Sequence, residues 1–198
     1  MALTTVLLDL DGVVRHFDPA RVASVEQRHG LPIGILHATA FDPELLEQVV
    51  TGRMRRVDWV QEIGERVSHP TAATECFADH ETVDESMLAE VDALRSQGVV
   101  VAVLTNGTDT IPAEMRTLGL DSRFDAIFNS AELGLAKPDP RVFEAVCSRL
   151  CVDPTEVFFT DDSASKLKGA VEIGMTARLF ESVDQFRQHL TEAELTRP

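Results

Sequence analysis

The sequence predicts an α/β fold: a Rossmann-like parallel sheet with helices on both faces, and a small all-helical cap inserted after the first strand. From about residue 99 onward, short apolar runs alternate with amphipathic helical segments, which is typical of a parallel sheet covered on both faces. Residues 15–85 differ, because their apolar positions follow helical spacing and they contain no convincing strand.

The first strand is predicted at the start of residues 6–14, VLLDLDGVV, because this run is short, apolar and not alternating. Asp9 and Asp11 follow at its carboxyl end, and side chains two residues apart on a strand point the same way. Two such carboxylates repel each other unless a cation or a shared proton intervenes. Since Mg²⁺ takes carboxylate and carbonyl oxygens, the pair predicts half of a metal site. A simple Asp-Gly turn is the alternative.

The cap is predicted over residues 15–85, which leaves residues 1–14 and 86–198 for the α/β core. Asp-Pro pairs mark helix starts and glycines mark helix ends, namely Asp18-Pro19, Asp42-Pro43, Gly30 and Gly52. An insertion after the first strand stands over the carboxyl edge of the sheet, so we expect it to cover Asp9 and Asp11.

The rest of the core is predicted to alternate strand and helix. Pro140 suits the first position of a helix, and Gly119 and Gly174 suit helix ends. Strands are predicted at 99–104, 126–128, 157–160 and 176–180, and helices at 109–118, 140–150 and 163–173.

Composition excludes several classes of partner. The net charge of −15 argues against nucleic acid and against an anionic membrane surface. With no eighteen-residue apolar stretch and no basic N-terminal region, we expect neither a membrane span nor a signal peptide, and a cytoplasmic protein. Cys76, Cys147 and Cys151 show no metal-binding spacing, so we expect reduced, mostly buried thiols.

Three later segments add chemistry to the aspartate pair. Thr105, Asn106 and Gly107 follow the second core strand, where a hydroxyl and the N–H groups of a turn can hold an anion; simple capping of the next helix is the alternative. Lys137 precedes a proline and a predicted helix start, where its charge could offset a phosphoryl group or carboxylates. A solvated surface lysine is the alternative.

The third segment is Asp161-Asp162, at the end of another apolar strand. One acidic residue would suffice to cap the helix that follows, so two adjacent acids indicate a second half of a cation site. Together the segments offer a carboxylate nucleophile, a general acid/base, a metal site and positive donors, which are the groups that phosphoryl transfer requires.

In this order the segments resemble the four motifs of the haloacid dehalogenase superfamily of hydrolases. The matching segments are DLDGV at 9–13, LTN at 104–106, Lys137 and DD at 161–162. The resemblance covers the whole chain, including the helical cap, and implies a Mg²⁺-dependent enzyme that forms an aspartyl-phosphate.

The resemblance also implies a role for each matching residue. Asp9 would be the nucleophile and Asp11 the general acid and base, while Thr105 would hydrogen-bond the phosphoryl oxygens and Lys137 would stabilise their charge. Asn106 and Gly107, in the turn after Thr105, are predicted from the residues themselves to bind substrate. Mg²⁺ would bind Asp9, the backbone carbonyl of Asp11 and Asp162, with Asp161 in support.

Asp11 favours a phosphatase over a dehalogenase, because true dehalogenases of the superfamily lack this second aspartate. The short cap and the GRMRRVDW stretch most resemble small phosphatases of the sugar-phosphate type. Within that stretch, Arg53, Arg55, Arg56 and Trp59 are candidates to contact substrate, although an exposed helix face is the alternative. One departure is Lys166, which stands where relatives often have asparagine; we expect an ion pair with a carboxylate there.

Two other functions remain open at this point. A phosphomutase would need a cap that excludes water and supplies its own acid or base; the cap histidines, which more often lie on a surface, are His16, His29, His37, His69 and His80. A phosphate-binding regulatory module would also use aspartates, threonine and lysine on a parallel sheet, but its phosphoacceptor would follow the third strand. If the protein is a phosphatase, as Asp11 favours, its substrate is expected to be a small phosphorylated metabolite.

Overall fold

The computed structural model describes residues 3–78 and 81–193. Its centre is a five-stranded parallel sheet in the order β5-β4-β1-β6-β7, and a separate antiparallel pair joins β2 to β3. The strands are β1 (Thr5–Leu8), β2 (Arg15–His16), β3 (Thr82–Val83), β4 (Val100–Thr105), β5 (Ala126–Asn129), β6 (Val157–Asp161) and β7 (Thr176–Leu179).

Helices cover both faces of this sheet, as predicted. Within the described residues there are eleven α-helices, and 3₁₀ turns lie at Pro154–Glu156 and Ala164–Lys166. The α-helices are α1 (Pro19–Arg28), α2 (Ile35–Ala40), α3 (Pro43–Val50), α4 (Arg56–Arg66), α5 (Pro70–Cys76), α6 (Glu85–Ser96), α7 (Ile111–Thr117), α8 (Ser130–Leu133), α9 (Pro140–Leu150), α10 (Lys168–Glu172) and α11 (Val183–Glu192).

The central strand β1 explains how the two faces are built. Val6 and Leu8 belong to one buried cluster, with residues of α6, α7 and α11, while Leu7 belongs to a second cluster with residues of α9 and α10. This alternation follows from the period of two along a strand. β1 is buried along its whole length, and it is apolar after Thr5 because both of its faces are covered.

The position of β1 also places the candidate site. β1 pairs in parallel with β4 on one side and with β6 on the other. The chain adds β4 and β5 on the first side before it crosses to β6 and β7 on the other, so the strand order reverses at β1. Ligands of open parallel sheets bind outside the carboxyl ends of the strands at such a point.

Helices α1 to α5 occupy the stretch predicted as the cap, and they have an apolar cluster of their own that includes Leu36, Ile63 and Trp59. The side chains of Asp18 and Asp42 accept hydrogen bonds from backbone N–H groups at the starts of α1 and α3, which confirms both predicted helix starts. The division of the chain at 14/15 and 85/86 stays a prediction.

Two local predictions were wrong. Residues 15–85 do contain strands, because β2 and β3 form a short antiparallel ribbon at the two ends of the insertion. Strands of two residues are too short to leave a period in the sequence. The helix predicted at 163–173 is instead a 3₁₀ turn followed by α10. None of the helices in the described part of the chain has both the length and the apolar character needed to cross a membrane.

Candidate active site

The ends of three adjacent strands meet at the middle of the sheet. Asp9 follows β1, Thr105 ends β4 and Asp161 ends β6. The backbone N–H of Asp9 still donates to the carbonyl of Thr160, at 2.9 Å, so the sheet fixes the backbone at this residue. The predicted motifs therefore lie together because the strands that carry them are neighbours.

Lys137 joins two of these strand ends. Its Nζ lies 2.7 Å from Oδ1 of Asp9 and 2.7 Å from Oδ2 of Asp161. Lys137 is only 3% exposed and Asp161 is fully buried. The alternative of a solvated surface lysine is thus wrong, because this ammonium group neutralises carboxylates inside the protein.

The carboxylate of Asp9 is held by several groups. Oδ1 accepts a hydrogen bond from the N–H of Leu10 at 2.8 Å, and within the described residues no hydrogen bond reaches Oδ2. Burial raises the pKa of Asp9 to about 7; the charge of Lys137 opposes this effect and the charge of Asp161 adds to it. The surroundings of Asp9 therefore compensate the charge of its ionised form incompletely, and an added cation would favour that form.

Asp162 completes a group of three carboxylates that suits a cation. One oxygen each from Asp9, Asp161 and Asp162 lies within 4.8 Å of the others. Burial, and then the charge of Asp161, raise the pKa of Asp162. Gly12 packs against it with a φ of +84°, and a Cβ at residue 12 would lie 2.1 Å from Oδ2 of Asp162. A set of donors made only of oxygens is what a hard cation such as Mg²⁺ prefers.

Asn106 fixes the backbone of Lys137. Its side-chain amide donates to the carbonyl of Lys137 and accepts from the N–H of Lys137, both at 2.8 Å. The alternative role of Asn106 as a helix cap is wrong, since α7 begins only at Ile111. Gly107 must be small, because a Cβ there would lie 2.3 Å from the side chain of Ile111.

Lys166 also lies beside Lys137. Its Nζ donates to the backbone carbonyl of Lys137 at 3.3 Å, and burial, followed by the nearby charge of Lys137, lowers its pKa. The expected ion pair was wrong, because no carboxylate of the described residues lies within 4.0 Å of this ammonium group.

The Asp11 side chain lies apart from the group of three carboxylates and is bound to Arg15. Arg15 is 3% exposed and donates both to Asp11 and to Oε2 of Glu114, the latter at 2.8 Å. Glu114 also approaches Arg56 of the cap, at 3.5 Å from its Nη1. These contacts connect Asp11, through Arg15, to Glu114 of helix α7 and from there to Arg56 at the start of helix α4.

A cleft of about 1340 Å³ opens over these groups. Asp9, Asp11, Thr105, Lys137 and Asp162 all line it, and so do Asn106, Gly107, Asp161 and Lys166. All of the residues predicted for the site from the sequence therefore face one cleft between the sheet edge and the helical insertion.

The cap residues singled out in the sequence behave differently from one another. Arg53, Arg56 and Trp59 line the cleft, whereas Arg55 is exposed outside its lining and pairs with Asp58. Of the histidines, His16 and His37 line the cleft. His29 instead pairs with Glu75 at 2.9 Å, and His80 lies outside the described residues.

Sequence reasoning missed Arg15 and Glu114. Arg15 lies only four residues from Asp11, but nothing in its neighbourhood distinguishes it from a surface arginine. Its pairing with Glu114 joins parts of the chain 99 residues apart. Burial would lower the pKa of Arg15, but the charges and hydrogen bonds of Asp11 and Glu114 outweigh burial and raise it.

The chain belongs to the haloacid dehalogenase-like hydrolases, whose family model matches residues 3–174. It is similar to phosphatase MT3486 of Mycobacterium tuberculosis (strain CDC 1551 / Oshkosh), with 29% identity over 199 residues that cover 94% of this chain and 91% of that protein. A shorter similarity joins it to (S)-2-haloacid dehalogenase 4A of Burkholderia cepacia, with 38% identity over 85 residues that cover 42% of this chain and 37% of that protein.

A solved structure shares the fold. The HAD family enzyme BT-2542 of Bacteroides thetaiotaomicron superposes with a TM-score of 0.79, at 22% identity, over 95% of this chain and 98% of that one. Another structure of the same enzyme, solved as a complex with magnesium and inorganic phosphate, gives a TM-score of 0.76 at 23% identity over 93% of this chain and 99% of that one. The predicted family and the predicted fold are thus confirmed.

Proposed function

We propose that this hydrolase is a Mg²⁺-dependent phosphatase that hydrolyses a small phosphorylated metabolite through an aspartyl-phosphate on Asp9. One observation carries the proposal: the carboxylates of Asp9, Asp161 and Asp162 converge within 4.8 Å at the end of the central strands, with Lys137 against two of them. This arrangement supplies a fixed nucleophile beside positive charge, as phosphoryl transfer requires.

Each residue then has a defined task in the proposed reaction. Oδ2 of Asp9 attacks phosphorus, an O–P bond forms, and the bond to the leaving alcohol oxygen breaks. Asp11 gives its proton to that oxygen. Water then attacks the phosphorus, Asp11 accepts a proton from it, and the bond to Asp9 breaks to release inorganic phosphate and the original carboxylate. Lys137 and Thr105 hold the phosphoryl oxygens.

The metal would be held by Asp9, the backbone carbonyl of Asp11 and Asp162, with Asp161 beside them. When bound, Mg²⁺ would neutralise negative charge on the phosphoryl oxygens and on the carboxylates. The relative BT-2542 has been solved with magnesium and inorganic phosphate, which supports the same pair of ligands here. Asp161 also accepts from the N–H of Ser163 at 2.9 Å, so it orders the loop that carries Asp162.

Asp11 favours a phosphatase over a dehalogenase, the two activities named among the relatives. A halide leaves as a stable anion and needs no proton, whereas an alkoxide leaving group does. Asp11 lines the cleft and is 39% exposed at its side chain, so it is accessible to a leaving group. The more extensive similarity to a phosphatase supports the same choice.

The test is the release of inorganic phosphate from p-nitrophenyl phosphate, with 2-chloropropionate as the competing substrate. We expect phosphate release that stops in EDTA and returns with excess Mg²⁺, and no chloride release. Chloride release without phosphatase activity would establish the dehalogenase. Undiminished phosphatase activity in excess chelator would refute the dependence on Mg²⁺.

A further inference from the structure

The wall of the cleft that belongs to the insertion is chemically different from its floor. The floor carries the carboxylates, Lys137 and the polar residues that follow β4. The opposite wall carries a set of apolar side chains, among them Phe17, Phe41, Leu46, Val50, Trp59 and Phe77. A ligand that fills this cleft therefore contacts the carboxylates and Lys137 at one end and a set of apolar side chains at the other.

Two of these side chains are unusually exposed. Phe17 is 53% exposed and Phe41 is 52% exposed, and among the large exposed apolar residues in the described ranges they are the aromatic ones. Both line the cleft. The ring of Phe41 stacks on His37 at a centroid distance of 4.3 Å, so it presents a flat and supported surface. Exposed rings that line a cleft indicate a binding surface for apolar groups.

Two arginines on this wall are already paired. Arg53 donates to Glu47 at 2.6 Å, and Arg56 donates to the carbonyl of Phe77 and approaches Glu114. Sugar hydroxyl groups would have to compete with these partners, whereas an apolar group leaves them undisturbed. The cleft volume of about 1340 Å³ also exceeds what a small sugar phosphate would fill.

We infer that the substrate is the phosphate monoester of a largely apolar alcohol, whose carbon skeleton lies along Phe41, Leu46 and Trp59 while its phosphate meets Asp9. This inference rests on the proposed phosphatase function and narrows its substrate class. It departs from the sugar-phosphate type that the sequence resemblance implies, because exposed aromatic rings line the wall of the cleft that the insertion supplies.

The experiment compares kcat/KM for n-butyl phosphate, n-octyl phosphate, glucose 6-phosphate and p-nitrophenyl phosphate, all with Mg²⁺. Complete burial of a methylene group is worth about fourfold in affinity. We expect at least about a tenfold preference for n-octyl over n-butyl phosphate, and a lower value for glucose 6-phosphate than for n-octyl phosphate.

A matched pair of variants tests whether Phe41 belongs to the surface that binds the alkyl chain. Phe41→Ser removes an exposed ring from the cleft, and Ile33→Ser removes a 66% exposed apolar side chain that is not part of the lining. The preference for n-octyl over n-butyl phosphate should fall about threefold or more in Phe41→Ser and should not change in Ile33→Ser.

The outcomes separate the two proposals. Equal values for the two alkyl phosphates, or a preference for glucose 6-phosphate, would overturn the inference while the phosphatase function stands. A chain-length preference that survives Phe41→Ser would overturn the assigned surface. Failure to hydrolyse all four esters, p-nitrophenyl phosphate included, would overturn the phosphatase function and the inference with it.

Discussion

The ammonium nitrogen of Lys137 lies 2.7 Å from Oδ1 of Asp9. Neither side chain could reach the other without the fold, since Lys137 comes from the loop between α8 and α9 whereas Asp9 follows the central strand. Asn106, which follows β4, fixes the lysine backbone. The candidate nucleophile and its counter-charge are therefore held in place by separate parts of the sheet edge.

Replacing Lys137 by methionine tests this relationship. The variant keeps most of the side-chain volume but leaves Asp9 and Asp161 without their cation. We expect the free energy of unfolding in metal-free buffer to fall by about 3–5 kcal/mol, as for other broken buried ion pairs. We also expect kcat/KM for p-nitrophenyl phosphate to fall by roughly 100-fold or more.

Lys168→Met is the matched control, because Lys168 is exposed at the start of α10. Urea unfolding and phosphate release measure the two effects. Similar values for both variants would mean that the contact between Lys137 and Asp9 contributes to neither stability nor catalysis.

Asp162 should determine the Mg²⁺ requirement. In Asp162→Asn the half-saturating concentration of Mg²⁺ should rise by at least about tenfold, which corresponds to about 1.4 kcal/mol of lost binding free energy. Asp121→Asn removes the same charge from an exposed turn and should leave the requirement unchanged. An unaltered Mg²⁺ titration in Asp162→Asn would remove this residue from the metal site.

Loss of Asp11 should lower kcat/KM most for esters whose alcohol is a poor leaving group. In Asp11→Asn, kcat/KM for n-butyl phosphate should fall by about 10²–10⁴, since general acid catalysis supplies that range, and the loss for p-nitrophenyl phosphate should be much smaller. Because kcat/KM reports the step up to departure of the alcohol, it isolates proton donation.

In Arg15→Lys we expect a smaller loss of kcat/KM, again larger for n-butyl phosphate than for p-nitrophenyl phosphate. One ammonium group cannot replace the guanidinium group that donates to both Asp11 and Glu114. Arg187→Lys, at a surface pair with Glu90, is the control. Equal losses on both esters would show that Arg15 does not act through Asp11.

The cysteines should differ in reactivity. Burial raises the pKa of Cys76 and of Cys147 to about 11, so little thiolate forms at pH 8. Cys151 is exposed, whereas Cys76 and Cys147 are buried, in agreement with the mostly buried thiols expected from the sequence. Iodoacetamide at pH 8 should modify Cys151 first, as mass spectrometry of the native protein would show. Comparable modification rates at Cys76 or Cys147 would contradict the buried positions.

The fold could be predicted because its signals are local. Apolar runs mark strands that are buried on both faces, and Asp-Pro pairs mark helix starts such as Asp18 and Asp42. The site residues could be predicted because each one stands at a strand end or beside a helix start. Strand ends that are neighbours in a parallel sheet need no further information to come together.

Other features depend on contacts distant in sequence. Arg15 can be buried because the carboxylates of Asp11, Glu81 and Glu114 surround its guanidinium group. The apolar wall assembles from α3, α4 and the segments beside them, where Phe41 and Trp59 have no common motif. The ribbon of β2 and β3 forms by pairing across the whole insertion. These features emerge only when the chain is folded.

The covalent role of Asp9 is tested most directly by Asp9→Asn. The amide is nearly isosteric with the carboxylate but cannot attack phosphorus, so kcat for p-nitrophenyl phosphate at saturating Mg²⁺ should fall by about 10³-fold or more. Circular dichroism should show the same helix and strand content as the wild type. A folded Asp9→Asn variant with kcat within about tenfold of the wild type, a difference of only about 1.4 kcal/mol, would contradict the aspartyl-phosphate mechanism.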